Sequence, residues 1–193
     1  MERKRIYLSS PTMHGEEQAF VQSAFDTNWV APLGPNVDAF EKEMADYIGG
    51  GYAAALSAGT AAIQAGVKEG DVVFAQSLTF AASVNPACYE KAKPVFIDSE
   101  PDTWNMDPVA LEKAFEKYPH PAAVIAVHLY GTPSKIDRIR DICKKHQVPL
   151  IEDAAEALGS SFKGQKLGTF GDYGILSFNG NKIITSSGGG MLL

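Results

Sequence analysis

The chain is poor in cysteine, and it lacks long apolar runs, basic tracts and repeats. Its 193 residues hold two cysteines, Cys88 and Cys143. Two thiols are too few for a disulfide-stapled fold and form no metal-type cluster, and they predict reduced cytosolic thiols. Lys and Arg number 17 against 23 Asp and Glu, a formal net charge of −6. With no run of positive charge, neither a nucleic acid nor an anionic membrane is expected as a partner. The apolar runs are strand-sized, far short of the roughly 20 residues that a membrane-spanning helix needs. The opening "MERKRIYLSS" carries charge but no apolar core of a secretory leader. His14, His120, His128 and His146 show no metal-ligand spacing, which leaves them solvated or core roles and predicts no metal site. These absences together predict a cytoplasmic protein.

What is present is globular composition, with 45% apolar and 21% charged residues. "PNVDAFEKEMADYI" sets Val37, Phe40, Met44 and Tyr47 on one helical face. "MDPVALEKAF" offers Asp107 as an N-cap and Pro108 at the first helical position. In "PSKIDRIRDICKKH", Ser134 and Asp137 stand at capping-box spacing, and Ile136, Ile139 and Cys143 share one side. Between these patterns lie short runs rich in valine and isoleucine: "DVVFAQ", "KPVFID", "AAVIAVHLYG" and "VPLIED". They are too short for buried helices and do not alternate, as expected of parallel strands covered on both faces. Strands alternating with amphipathic helices predict an α/β fold built on a mostly parallel sheet flanked by helices. Ligands of such sheets collect at the carboxyl ends of the strands.

Four strand ends carry candidate chemistry. "AAALSAGTAAI" places Gly59 and Thr60 after Ser57 and before helix-forming alanines. A Gly-Thr pair opening a helix presents N–H groups and a hydroxyl suited to a phosphate, although a plain hydroxyl N-cap would look the same. In "FAQSLTFAAS", Phe80 follows a strand, free to stack on a planar ring or to pack in the core. Asp153 ends the strand in "VPLIEDAAEALG", where an unpaired carboxylate would be costly. It either caps the next helix or meets a protonated nitrogen of a ligand. The fourth is "YGILSFNGNK", which delivers Ser177 and then Lys182. Most lysines are surface lysines, but a partly desolvated amine beside small polar residues can attack a carbonyl and form a Schiff base. Phosphate donors, a stacking aromatic, a carboxylate for a pyridinium and a Schiff-base lysine together match the needs of pyridoxal 5′-phosphate.

Nucleotide motifs compete poorly. "GGGYAA" at 49–54 follows a helical pattern rather than a strand, the wrong context for a dinucleotide fingerprint. "GSSFKGQKL" from Gly159 lacks the Gly-Lys-Ser/Thr ending of a phosphate-binding P-loop, and Gly188, Gly189 and Gly190 lack fingerprint spacing.

The segments "NWVAPLGPNVDAFE", "SAGTAAI", "QSLTFAAS", "PVFIDSEPDTWNMD", "HLYG", "IEDAAEALGS" and "GTFGDYGILSFNGNKIITSSGGGM" together resemble the DegT/DnrJ/EryC1/StrS sugar aminotransferases over almost the whole chain. The nearest likeness is to enzymes that aminate C4 of a UDP-linked 4-keto-6-deoxy-N-acetylglucosamine in bacillosamine and exopolysaccharide biosynthesis. GDP-perosamine synthases are near relatives. The resemblance implies the aspartate-aminotransferase-like large domain of fold type I, a homodimer, a nucleotide-sugar substrate and an amino-acid donor, L-glutamate. Lys182 would form the Schiff base, Asp153 would hold the pyridinium nitrogen and Phe80 would stack on the ring. Gly59, Thr60 and Ser177 would bind the phosphate, Ala155 and Glu156 would lie against the ring and its 3′-oxygen, and Asn179 would turn toward phosphate and substrate. Residues 1–193 would cover the N-terminal segment and most of the large domain, without the small C-terminal domain. Ala58 stands where many relatives have Ser, and more than a turn of helix is missing between Ile63 and Gly66. Related 3-dehydratases replace the Schiff-base lysine by histidine, so Lys182 argues against that chemistry. A non-catalytic fragment that keeps only a cofactor cradle is the alternative from another class.

Overall fold

The computed structural model describes residue 5 and residues 11–31, 33–58 and 66–193. It divides into two compact units, Met1–Phe40 and Glu41–Leu193. The first carries α1 (Glu17–Asp26) and the beginning of α2 (Pro35–Ile48). Glu17 closes the start of α1 on itself, accepting the backbone N–H groups of His14 at 2.7 Å and Gly15 at 2.8 Å. Those donors hold its carboxyl down at about 2. The expected apolar face of α2 is only partly realised: Met44 is buried, whereas Phe40 and Tyr47 are exposed.

The second unit is a layered α/β body. Its strands are β1 (Ala54–Leu56), β2 (Val72–Gln76), β3 (Lys93–Ile97), β4 (Ala123–Val127), β5 (Leu150–Asp153), the small hairpin β6 (Ser161–Phe162) and β7 (Gln165–Lys166), β8 (Tyr173–Ser177) and β9 (Gly190–Leu192). Seven of them form one sheet in the order β1-β9-β8-β5-β4-β2-β3. The run from β3 to β8 is parallel. Strand β9 returns antiparallel beside β8, and β1 pairs antiparallel with β9. The four apolar runs read from the sequence are β2 to β5, and the stretch suspected of mimicking a P-loop is the β6–β7 turn.

The absence of alternation in these strands has a direct cause. All five residues of β4 are buried. Val124 and Ala126 pack with Leu111 and Phe115 of α4 (Pro108–Lys117) and Ile136, Ile139 and Ile142 of α5 (Ile136–His146). Ala123 and Ile125 point the other way, into a cluster with Val84 and Ala87, the latter from α3 (Asn85–Tyr89). Successive side chains leave opposite faces of a strand, and here both faces are dry.

Asp107 caps α4 as expected: its Oδ1 accepts the Val109 N–H at 2.8 Å, with Pro108 opening the helix. The capping box of α5 does not form. The helix begins at Ile136 without a side-chain cap. Ser134 is drawn off to His128, whose Nδ1 accepts its N–H at 3.1 Å and lies 3.3 Å from its hydroxyl. Asp137 instead takes the Lys163 amine at 2.7 Å. The inner face of α5 is as read, with Ile136, Ile139 and Cys143 buried. Both cysteines are free, and burial first, then the Asp172 carboxylate, pushes the Cys143 thiol up to about 12. No helix among the described residues is long and apolar enough to cross a membrane.

Candidate active site

The parallel strands deliver their carboxyl ends to one cavity of about 260 Å³, near the lower end of small-molecule clefts, roughly 300 Å³. Phe80, Asp153, Ala155, Glu156, Ser177, Asn179 and Lys182 all line it. Gly59 and Thr60 lie outside the described residues, as does the shortened segment before Gly66.

Asp153 is the last residue of β5 and is 8% exposed. No helix follows, so the helix-capping alternative falls away; its Oδ1 accepts the N–H of Ala155, two residues on, at 3.1 Å. Its Oδ2 accepts the Ser83 hydroxyl at 2.6 Å. Each oxygen therefore holds one donor and keeps a lone pair for another.

Phe80 precedes a single 3₁₀ turn, Ala81–Ser83, and is 72% exposed. It is not a core residue. Its ring is an open apolar surface on the cavity wall, which favours the stacking alternative.

Lys182 sits in the excursion that leaves β8 at Ser177 and returns as β9 at Gly190. A turn bond from the Lys182 N–H to the Asn179 carbonyl, 2.9 Å, folds it back over the sheet. Its side chain is only 12% exposed, and Nζ lies 3.2 Å from Glu156 Oε1. The other oxygen of Glu156 accepts the Tyr130 N–H at 2.9 Å. Tyr130 and Gly131 both have positive φ, and a Cβ at Gly131 would come within 3.1 Å of the Glu156 carbonyl oxygen. The loop after β4 is thus pressed against the residue that holds the lysine amine. Ser177 Oγ accepts the Asn179 N–H at 3.4 Å, and Asn179 Nδ2 donates to Asn181 Oδ1 at 3.2 Å. Across the cavity wall, Ala58 bridges to Gly189, whose N–H donates to the Ser57 carbonyl at 3.1 Å.

Two buried polar groupings beneath the cavity were not singled out from the sequence. Glu152, fully buried, accepts from His128 Nε2 at 2.8 Å, from Gly168 N–H at 3.0 Å, from Gly171 N–H at 2.6 Å and from Phe170 N–H. Because the Ser134 N–H donates to Nδ1, the ring N–H of His128 is on Nε2 and donates a hydrogen bond to Glu152 Oε2. The second grouping is a pair of amides. Gln76 Nε2 donates to the Leu78 carbonyl at 2.7 Å and to Asn105 Oδ1 at 3.1 Å, while its Oε1 accepts the Met106 N–H at 2.9 Å. Asn105 then takes the Leu129 N–H at 3.0 Å and donates to the Thr132 carbonyl at 2.9 Å. The pair straps the loop that carries Phe80 to the loop that carries Tyr130. One signal was legible: Glu152 and Asp153 are adjacent on a strand covered on both faces, so each needs partners on its own side. The amides gave no such signal.

Set against pyridoxal 5′-phosphate, these residues fit. A flat ring has an exposed aromatic face in Phe80, a ring nitrogen has a nearly dry carboxylate with lone pairs to spare, and an aldehyde has an enclosed amine. The cavity belongs to an α/β sheet that brings a strand-end carboxylate and a lysine from the β8–β9 connection to one site. Residues 11–193 match the family described as "DegT/DnrJ/EryC1/StrS aminotransferase family", and the chain belongs to it. It is 58% identical over 199 residues to "Putative pyridoxal phosphate-dependent aminotransferase EpsN" of Bacillus subtilis, covering 98% of this chain and 51% of that protein. It is 40% identical to the GDP-perosamine synthase of Caulobacter vibrioides, covering 97% of this chain and 52% of that one. Among solved structures, DesI in the presence of its TDP-sugar product superposes with a TM-score of 0.84 at 34% identity, over 91% of this chain and 45% of that one. The mostly parallel sheet flanked by helices is thus the fold-type-I, aspartate-aminotransferase-like architecture expected from the sequence. The chain spans about half the length of the curated relatives it matches.

Proposed function

We propose that the whole protein is a pyridoxal-phosphate-dependent aminotransferase that moves an amino group from L-glutamate to C4 of a nucleotide-linked 4-keto-6-deoxy sugar, in polysaccharide or glycan biosynthesis. UDP-2-acetamido-2,6-dideoxy-4-ketohexose is the substrate favoured by the sequence resemblance. Residues 1–193 correspond in this proposal to the N-terminal segment and most of the large domain, in a cytoplasmic homodimer. The observation that carries the reading is the enclosure of the Lys182 amine, 12% exposed, in the same cavity as the Asp153 carboxylate.

When bound, the cofactor supplies an electron sink for charge that develops at the donor's α-carbon. Lys182 would hold the cofactor through Nζ and, as general base and then acid, would carry the proton taken from the donor's α-carbon. Asp153, nearly buried and with a lone pair left on each oxygen, would hold the protonated ring nitrogen. Phe80 would stack on the ring, and Ala155 and Glu156, which line the same cavity, would lie against the ring and its 3′-oxygen. Glu156 Oε1 also orients the Lys182 amine. Ser177 and Asn179, with Gly59 and Thr60, receive the phosphate and the substrate side of the ring.

Borohydride reduction of the full-length protein followed by peptide mass spectrometry tests the reading. A pyridoxyl adduct on Lys182 is expected, and both the adduct and turnover should vanish in Lys182→Ala. An unmodified Lys182, or full turnover in the variant, overturns it; an unmodified Lys182 would favour a module that keeps only the cradle. A second substrate has its own support: the 40% identity to a GDP-perosamine synthase favours a GDP-linked 4-keto sugar. A panel of nucleotide 4-keto-6-deoxy sugars with glutamate, read by product mass and NMR, decides between UDP and GDP.

A further inference from the structure

We propose that Ser83 is a positioning residue that aims the Asp153 carboxylate and sets its spacing from the Phe80 ring; this rests on the cofactor reading above. Ser83 is 3% exposed and Asp153 8%, so both are buried. Ser83 Oγ donates to Asp153 Oδ2 at 2.6 Å, and Thr79 Oγ1 lies 2.8 Å from Ser83 Oγ. A carboxylate has no proton to give, so Ser83 must be the donor to it. The one hydroxyl proton of Ser83 is then used, so Thr79 must donate to Ser83. The chain Thr79 to Ser83 to Asp153 has a single direction, and its last link is a short, charge-assisted bond of the strong kind.

The consequence for Asp153 is rotational. The terminal torsion of an aspartate is broad, and one donor alone would leave the carboxylate free to swing. Ala155 N–H on Oδ1 and Ser83 O–H on Oδ2 pin both oxygens. The main chain is pinned as well, because the His128 N–H donates to the Asp153 carbonyl at 3.1 Å. What remains adjustable is the distance to the stacking ring, and Ser83 governs that too. Its own N–H donates to the Phe80 carbonyl at 3.0 Å across the 3₁₀ turn. One residue therefore joins the face contact of a bound ring to its nitrogen contact. Both are contacts that a planar, protonated nitrogen heterocycle requires.

The test uses the full-length protein and three variants, Ser83→Ala, Ser83→Thr and Thr79→Val. Two quantities are measured: the dissociation constant for pyridoxal phosphate of the cofactor-stripped protein, by fluorescence titration, and kcat and KM for the amino donor. Ser83→Ala should weaken cofactor binding and lower kcat about tenfold each, with KM for the donor changed less than about twofold, the scale of one hydrogen bond to a charged group. Thr79→Val, which leaves the Ser83 bond in place, should shift both in the same direction by about threefold, and Ser83→Thr should recover to within about threefold of wild type. Wild-type affinity and kcat in Ser83→Ala overturn the proposal, as does a Ser83→Thr no better than Ser83→Ala. If circular dichroism shows Ser83→Ala unfolded, Thr79→Val decides: unchanged binding and kcat overturn the proposal, and a matching smaller loss supports it. A wild-type protein that takes up no pyridoxal phosphate removes the cofactor reading and this one with it. Wild-type uptake with an indifferent Ser83→Ala removes this one alone.

Discussion

Glu152 accepts four donors while fully buried. Replacing it by Gln keeps the shape but turns one acceptor oxygen into an NH₂ that faces N–H groups. Glu152→Gln should destabilise the fold by about 3 kcal/mol, because the new NH₂ leaves two buried donors without an acceptor at about 1–3 kcal/mol each. Urea unfolding measures this, and a loss below about 1 kcal/mol would show that the backbone N–H groups find other partners. The same residues show where sequence reading stops. Asp153 and Lys182 stood out because a charge at a strand end needs a reason. Ser83 did not, because a serine at the end of "FAAS" has many ordinary uses and its partner lies seventy positions away in the chain.

At the scale of elements, the strands were legible wherever burial on both faces left a continuous apolar run, as in β4 and β5. The antiparallel β9 was not, since Gly190–Leu192 is three residues long and becomes a strand only by register with β8 and β1. The start of α5 misled for a related reason: Ser134 has capping chemistry, but a buried histidine nearby competes for it. Strand β8 carries a sharper constraint. A Cβ added at Gly174 would lie 1.9 Å from the Gly168 carbonyl oxygen, closer than any side-chain shift can relieve, because both partners are backbone. Gly174→Ala should therefore push β8 away from the 168–171 strap that Glu152 holds. Loss of soluble, cooperatively unfolding protein is expected by thermal melting; a melting temperature within about 2 °C of wild type would mean that the strap can move.

At the scale of the whole molecule, acid should loosen the fold through Glu100, which is 4% exposed just after β3. Burial works to raise its carboxyl, but Lys135 at 2.7 Å and donors from Thr103 and Asp102 outweigh it and bring it down to about 2. A carboxyl lowered on folding binds fewer protons than in the unfolded chain, so its contribution is complete above about 4.5 and fades as the pH falls toward about 2. Melting temperatures across that window should fall less steeply in Glu100→Gln than in wild type, and parallel curves would assign the acid limb to other groups. The order of the sheet bears on the amine in a different way. Residues 178–189 leave and rejoin neighbouring strands of one sheet, so Lys182 hangs from a handle fastened at both ends. Its travel is bounded by the length of that handle, whatever the loops around it do. On the proposed reading, lengthening or shortening this stretch would change how far the nitrogen can retreat, and with it the bulk of amine that can take its place.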